Sequence, residues 1–324
     1  MSCRRIKVAA RGVSRKGVST PAFPGHRGDV PHSPDHIGSA TPPTFAPPLG
    51  VEADVQPIAH PAGLSIKMER LVAILGVPFH QLTIDDAVER IETMVASGRS
   101  HYVVTPNVDF LVKVQRDNSL RRILVDADLV LCDGKPIVWA SRWLGESLPG
   151  RVAGSDLIPR LIQLAADRGW RIFLLGGAPA VTSEAARRMA AAYPSLPEVA
   201  HYSPPYAPLD KIDNGEIARR VREARPHIML VCFGCPKQEM WISKHCSAIG
   251  IPVMIGAGAT VDFLAGTMAR APLWMRRSGT EWIFRLAQEP RRLARRYADD
   301  LLHFFPAILR QRWRQRHASA KGER

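Results

Sequence analysis

Six short apolar runs, none alternating with polar residues, limit what this chain can fold into. They fall at 71–77, 101–105 (HYVVT), 128–132, 171–175 (RIFLL), 228–233 (IMLVCF) and 251–256 (IPVMIG). A strand with one wet face alternates. A run of Val, Ile and Leu without alternation belongs to a strand covered on both faces, and hence to a parallel sheet. Between the runs, segments 83–97, 107–126, 136–144, 155–168, 178–193, 213–225 and 236–248 carry helical spacing, with Thr83, Ser155 and Asp213 at N-cap positions. The alternation predicts an α/β domain over 68–267, a Rossmann-like parallel sheet with helices on both faces. Such a sheet receives ligands at the carboxyl ends of its strands.

The two ends of the chain differ from this body. Residues 1–67 hold eight Lys/Arg against four Asp/Glu, ten of the 27 prolines and no apolar periodicity. They are expected to form a disordered leader, and one reading starts translation at Met68. Residues 268–324 hold fourteen Lys/Arg against five Asp/Glu, together with Trp274, Trp282, Phe304, Phe305 and Trp313. This reads as an Arg-rich helical C-terminal appendage. The net charge of +14 therefore sits at the ends of a nearly neutral body. Basic ends suit nucleic acid, anionic lipid or a diphosphate. Within the tail, Leu301, Leu302, Phe304, Phe305, Ile308, Leu309 and Trp313 lie beside Arg310, Arg312, Arg314 and Arg316. Such a band suits an anionic membrane surface; packing on the body is the competing reading. No window of 18 apolar residues occurs, so no membrane span is expected. The five cysteines are odd in number and show no disulfide framework, which points to the cytoplasm.

The strand ends carry the candidate chemistry. Thr105-Pro106-Asn107 would put a hydroxyl and an amide at a carboxyl edge, with capping of the next helix as the alternative for Asn107. Cys132-Asp133-Gly134 would put a carboxylate there. Partial burial would raise its pKa toward that of a working base, while a plain turn is the bland alternative. Arg151 could clamp a phosphate or pair with a carboxylate. Gly176-Gly177 could let a phosphate or ribose approach backbone N–H groups. Lys237 and Gln238 open a helix after the next strand, where they could meet a nucleotide or sugar. The run Gly256-Ala257-Gly258 to Asp262 approaches a dinucleotide fingerprint but lacks its third glycine. Cys232 and Cys235 form a C-x-x-C, but Cys232 lies inside an apolar strand, which argues against redox chemistry.

In this order the motifs resemble the WecG/TagA/CpsF family of bacterial glycosyltransferases. The matching elements are Leu75-Gly76-Val77, Thr105-Pro106-Asn107, Asp133-Gly134, Arg151 to Gly154 and Asp156, Gly176-Gly177, Pro236-Lys237-Gln238-Glu239, and Gly256 and Gly258 to Asp262-Phe263. Arg270-Ala271-Pro272, Glu281-Trp282 to Arg285, and Glu289-Pro290 to Arg292 complete the set. The resemblance implies an inverting transferase that needs no metal or other cofactor. It would move a hexose or N-acetylhexosamine, such as N-acetylmannosamine, from a UDP-sugar to a sugar on undecaprenyl diphosphate. Asp133 is then expected as general base, with Thr105, Asn107, Arg151 and Gln238 positioning the substrates. The implied place is the inner face of the cell membrane, with a homo-oligomer left open.

Elementary electrostatics fits this expectation. Loss of a sugar from UDP leaves developing negative charge on a diphosphate, which needs a cation. No D-x-D motif that could hold one is evident, so arginines are expected to serve. Arg285, Arg292 and Arg296 fall at i, i+7 and i+11, on one helical face if Pro290 does not break it. Two rivals remain at this stage. One is a nucleotide-dependent oxidoreductase using 256–261. The other is a basic nucleic-acid-binding protein, for which charge is the whole case and no recognised module is found.

Overall fold

The apolar runs become strands because both neighbours along each strand are buried, one on each side of a sheet. The computed structural model describes residues 70–322, so the expected leader lies outside the described residues. The order of elements is β1 (Leu71–Ile74), β2 (Val77–His80), α1 (Ile84–Ala96), β3 (His101–Val104), α2 (Val108–Lys113), α3 (Asn118–Val125), β4 (Leu129–Val130) and α4 (Lys135–Leu144). There follow α5 (Gly154–Arg168), β5 (Ile172–Gly176), α6 (Pro179–Ala192), β6 (Ala200–Tyr202), α7 (Asn214–Ala224), β7 (Ile228–Cys232), α8 (Lys237–Ile249), β8 (Val253–Gly256) and α9 (Thr260–Ala265). The tail forms α10 (Leu273–Ser278), α11 (Glu281–Gln288) and α12 (Pro290–Gly322).

Six strands make a parallel sheet in the order β4-β3-β8-β7-β5-β6. Tyr102, Val104, Val130, Phe173, Leu175, Met229 and Met254 project to one face, where α2, α3, α7, α8 and Phe304 and Ile308 of α12 cover them. Val103, Leu129, Leu174, Leu230, Val253 and Ile255 project to the other, under α1, α5, α6 and α9. Each fully buried large side chain contributes roughly 1.5–3 kcal/mol, so two continuous apolar layers hold the sheet rigid. The Rossmann-like α/β architecture is thus present.

Four expectations change. The run 71–77 is a hairpin rather than one strand. Leu75 and Gly76 take φ of 51° and 81°, and Leu71↔His80 to Ile74↔Val77 pair antiparallel. Two adjacent positive φ values make a tight turn whose twist matches its strands. The hairpin covers the edge of β4, where Val130 N donates to His80 Nδ1 at 3.1 Å. The stretch 107–126 is two helices, because Asp117 stops one and caps the next, its Oδ1 accepting from the N–H of Ser119 and Leu120. Ser155 is not a cap: α5 begins at Gly154 with Ala153 before it, and Ser155 Oγ accepts from Arg270 instead. Thr83 does cap α1, in a reciprocal box with Asp86, and Asp213 caps α7. Finally, the three-residue edge strand β6 has no apolar run to announce it.

Candidate active site

Asp133 stands where β4 emerges from under both layers. Leu131 N donates to Val104 O at 2.9 Å, Asp133 N to Pro106 O at 3.1 Å, and Val152 N to Cys132 O at 2.8 Å. The backbone that carries the carboxylate is therefore fixed from two neighbouring segments, the end of β3 and the stretch before α5, directly ahead of Gly134. Among the described residues no side chain donates a hydrogen bond to it. Burial pushes its pKa up to about 6; Arg151 pulls against this, Glu281 adds to it, and Arg285 again pulls down. A carboxyl group so placed is ionised at neutral pH yet basic enough to take a proton.

Arg151 is held by two carboxylates. Its Nη1 donates to Glu281 Oε2 at 2.8 Å and its Nη2 to Asp156 Oδ2 at 2.7 Å. Asp156 also receives Arg270, and Arg276 at 3.4 Å. Of the two sequence readings of Arg151, carboxylate pairing is the one observed. Glu281 comes from α11, so this ion-pair network ties the tail to the base of the sheet.

A cavity of about 300 Å³ opens over Asp133. Asn107, Asp133 and Arg151 line it from the body, and Glu281, Arg285 and Arg296 from the tail. Asn107 also caps α2, its Oδ1 accepting from Phe110 N at 3.3 Å, so both readings of that residue hold together. Farther along the cavity lie Asp109 and Asp300, both buried. Lys113 donates to Asp109 at 2.7 Å. Burial and the neighbouring Asp109 push Asp300 up to about 6. Trp139, Trp282, Leu301 and Phe305 form an apolar, solvent-exposed rim. Among the described residues, no three His, Cys, Asp or Glu side chains converge as a metal site.

Other expected site residues lie outside this cavity. Thr105 is partly buried and does not line it, its hydroxyl lying against Gly154. Gln238 is buried, its Oε1 accepting from Gly234 N and Gly258 N at 3.2 Å each and its Nε2 donating to Glu239 at 2.7 Å. It bolts the ends of β7 and β8 together. A side chain on Gly256 would come within 2.7 Å of that amide, so the glycine serves internal packing. Gly258 N–H is likewise already engaged, which leaves the oxidoreductase rival without its pyrophosphate seat. Gly176 and Gly177 have positive φ, and side chains there would meet Phe233 and Thr182; that internal packing accounts for both glycines. Lys237 donates to Ala207 O at 2.5 Å and lies over the Phe233 and Tyr206 rings. Asp262 sits in α9, near Glu289 and Arg292. Arg292 is exposed and pairs with Glu289. The expected common face of Arg285, Arg292 and Arg296 does not form, because α11 ends at Gln288 and Pro290 starts a new helix.

Glu281, Asp109, Asp300 and Trp139 were not foreseen as site residues. Glu281 belonged to a quoted motif without a role, and the other three carry no local signal. The apolar band of α12 also divides. Phe304 and Ile308 are in the core, whereas Leu302, Phe305, Leu309 and Trp313 are exposed on one stripe.

Comparison with known proteins bears on this geometry. The family model described as "Glycosyl transferase WecG/TagA/CpsF family" matches residues 72–318. An N-acetylglucosaminyldiphosphoundecaprenol N-acetyl-beta-D-mannosaminyltransferase of Bacillus spizizenii is 30% identical over 224 residues, covering 67% of this chain and 85% of that protein. A protein of the same name from Staphylococcus aureus (strain MW2) is 29% identical over 226 residues, covering 69% and 87%.

Proposed function

The chain belongs to the glycosyl transferase WecG/TagA/CpsF family, and on that premise we propose that it joins an N-acetylmannosamine-like hexose to N-acetylglucosamine on undecaprenyl diphosphate. UDP-sugar is the donor, the reaction inverts the anomeric centre, and no metal takes part. The observation that carries the reading is Asp133: a carboxylate at the sheet's ligand edge, pushed up to about 6, in a cavity shared with tail arginines. Asp133 takes the proton of the acceptor hydroxyl as its oxygen attacks the anomeric carbon. The bond from that carbon to the diphosphate breaks, and UDP leaves with the electron pair. Arg285 faces the developing charge. It carries a buried Nε without an acceptor and lies 5.9 Å from the Phe263 ring beyond β8. Asn107 orients the acceptor.

The lipid carrier favours a protein seated on a membrane, and none of the described helices is long and apolar enough to cross one. The exposed stripe Leu302, Phe305, Leu309 and Trp313, flanked by Arg310 and Arg314, suits an anionic inner leaflet. Deleting the whole tail would also strip Phe304 and Ile308 from the core, so point changes are the sounder test. Leu302→Glu with Trp313→Glu is expected to abolish pelleting with phosphatidylglycerol vesicles at unchanged melting temperature. Retained pelleting would remove the membrane assignment. For the chemistry, the protein is incubated with a panel of UDP-sugars and a short-chain acceptor. UDP release that depends on both substrates, and is lost in Asp133→Asn, supports the reading; near-normal turnover in that variant refutes the role of Asp133.

A further inference from the structure

Asp300 and Arg296 share one helix and one cavity. Asp300 is 7% exposed, lines the cavity, and forms no hydrogen bond or ion pair with any described residue. Arg296 lies one turn earlier on α12, where an i,i+4 ion pair would be ordinary, yet the two do not pair. Its Nε is buried without an acceptor, and its guanidinium rests 5.2 Å from the Tyr297 ring. A buried guanidinium donor left open beside a carboxylate that faces the same cavity is costly unless a ligand completes it. Asp109, held by Lys113, adds a second carboxylate at the same end.

The ligand that completes such a set must donate to a carboxylate and accept from a guanidinium at adjacent positions. A sugar hydroxyl with the carbonyl of the acetamido group beside it does both. A diphosphate does not, because Asp300 and Asp109 would repel it. In a cavity of about 300 Å³, the end lined by Asp109, Arg296 and Asp300 has room for a hexosamine ring. Leu301 and Phe305, at its rim, lie where an isoprenyl chain would approach.

Resting on the transferase reading above, we infer that Asp300 and Arg296 form the subsite that grips the acceptor sugar, Asp300 by a hydroxyl and Arg296 by the acetamido carbonyl beside it, and turns another hydroxyl toward Asp133. Arg296 then serves the acceptor rather than the donor diphosphate. The division of labour within the cavity follows: the end near Arg285 takes the leaving group, and the end near Asp300 takes the lipid-linked sugar.

The test uses the full chain, UDP-N-acetylmannosamine and N-acetylglucosaminyl diphosphate on a short isoprenyl chain. Asp300→Asn and Arg296→Gln are each expected to raise the acceptor KM roughly tenfold or more, as loss of a charged hydrogen bond does, with the donor KM moving less than twofold. Monodeoxy acceptors sharpen this. One of them should lose about tenfold with the unaltered protein and show no further loss with Asp300→Asn. Melting temperatures report folding, and the second variant stands in if the first is unstable. Acceptor KM values within twofold of the unaltered protein in both variants overturn the inference, as does a donor KM that rises in step. An unaltered protein that releases no UDP from this substrate pair overturns the transferase assignment itself, and that control tells the two failures apart.

Discussion

Glu281→Gln and Arg151→Gln should move the acid limb of the rate–pH profile in opposite directions. With Asp133 as the proposed base, the limb reports loss of its proton, so the rate is expected to climb as pH rises through about 6. Arg151 opposes the burial of that carboxylate, and Glu281, bonded to Arg151 at 2.8 Å, reinforces it. Neutralising Glu281 removes a like charge from the cavity. It also leaves Arg151 with Asp156 as its one strong partner, so more of its field reaches Asp133. A single charge acting across a small cavity at an effective dielectric near 20 is worth about 1–2 kcal/mol, which corresponds to about one pH unit. The limb should fall from about 6 to roughly 5 in Glu281→Gln and rise by a similar amount in Arg151→Gln. Initial rates of UDP release between about pH 4 and 8.5, at subsaturating acceptor, give the kcat/KM profile of each variant, which reports the carboxylate of the free protein. A glutamine at 281 still accepts from Arg151, so the fold should persist. Shifts of the same sign, or limbs that coincide with the unaltered protein, would refute the account of how this base is tuned.

Further outcomes follow from single side chains. Asp133→Asn should lower kcat by about 10²–10⁴, with a melting temperature that holds or rises because a desolvated charge is gone. Phe304→Ala, at a fully buried site, should cost about 3–5 kcal/mol in urea unfolding. Glu239 is buried and pushed up to about 7 from 4.5, so between those values the folded state holds a proton the unfolded chain has released. Its stabilising effect is complete below about 4.5 and is lost as pH rises through 7. The urea midpoint should therefore be lower at pH 8 than at about pH 5.5, and Glu239→Gln should flatten that difference; Asp133 and Asp300 act in the same sense at lower pH.

Strands buried on both faces announce themselves, which is why five of the six apolar runs became β3, β4, β5, β7 and β8. The sixth run misled because its turn is set from afar: Leu75 holds a positive φ with its N–H on Gln311, 236 positions away. No window of sequence contains that cause. β6 is short, polar and at an edge, so it lacks the apolar signal altogether. In the site, Asp133, Asn107 and Arg151 were legible because strand ends are where such sheets work. Glu281, Asp109 and Asp300 were not, since they reach the cavity only through the docking of α11 and α12. The glycines at 256 and 258 were visible as glycines, but their reason, a buried glutamine amide from another segment, was not.

Gln311 grips the hairpin with both ends of its amide, accepting from Leu75 and donating to Ala73 O at 2.8 Å. The last described helix, α12, is thereby buttoned to the first described strand, β1, and its turn. Half of the residues lining the cavity also come from residue 279 onward. An unfinished polypeptide has no chamber to react in, and one clipped ahead of Phe304 leaves an apolar floor bare. Proteolysis or a premature stop in the tail thus yields a sticky fragment for quality control rather than a half-active enzyme.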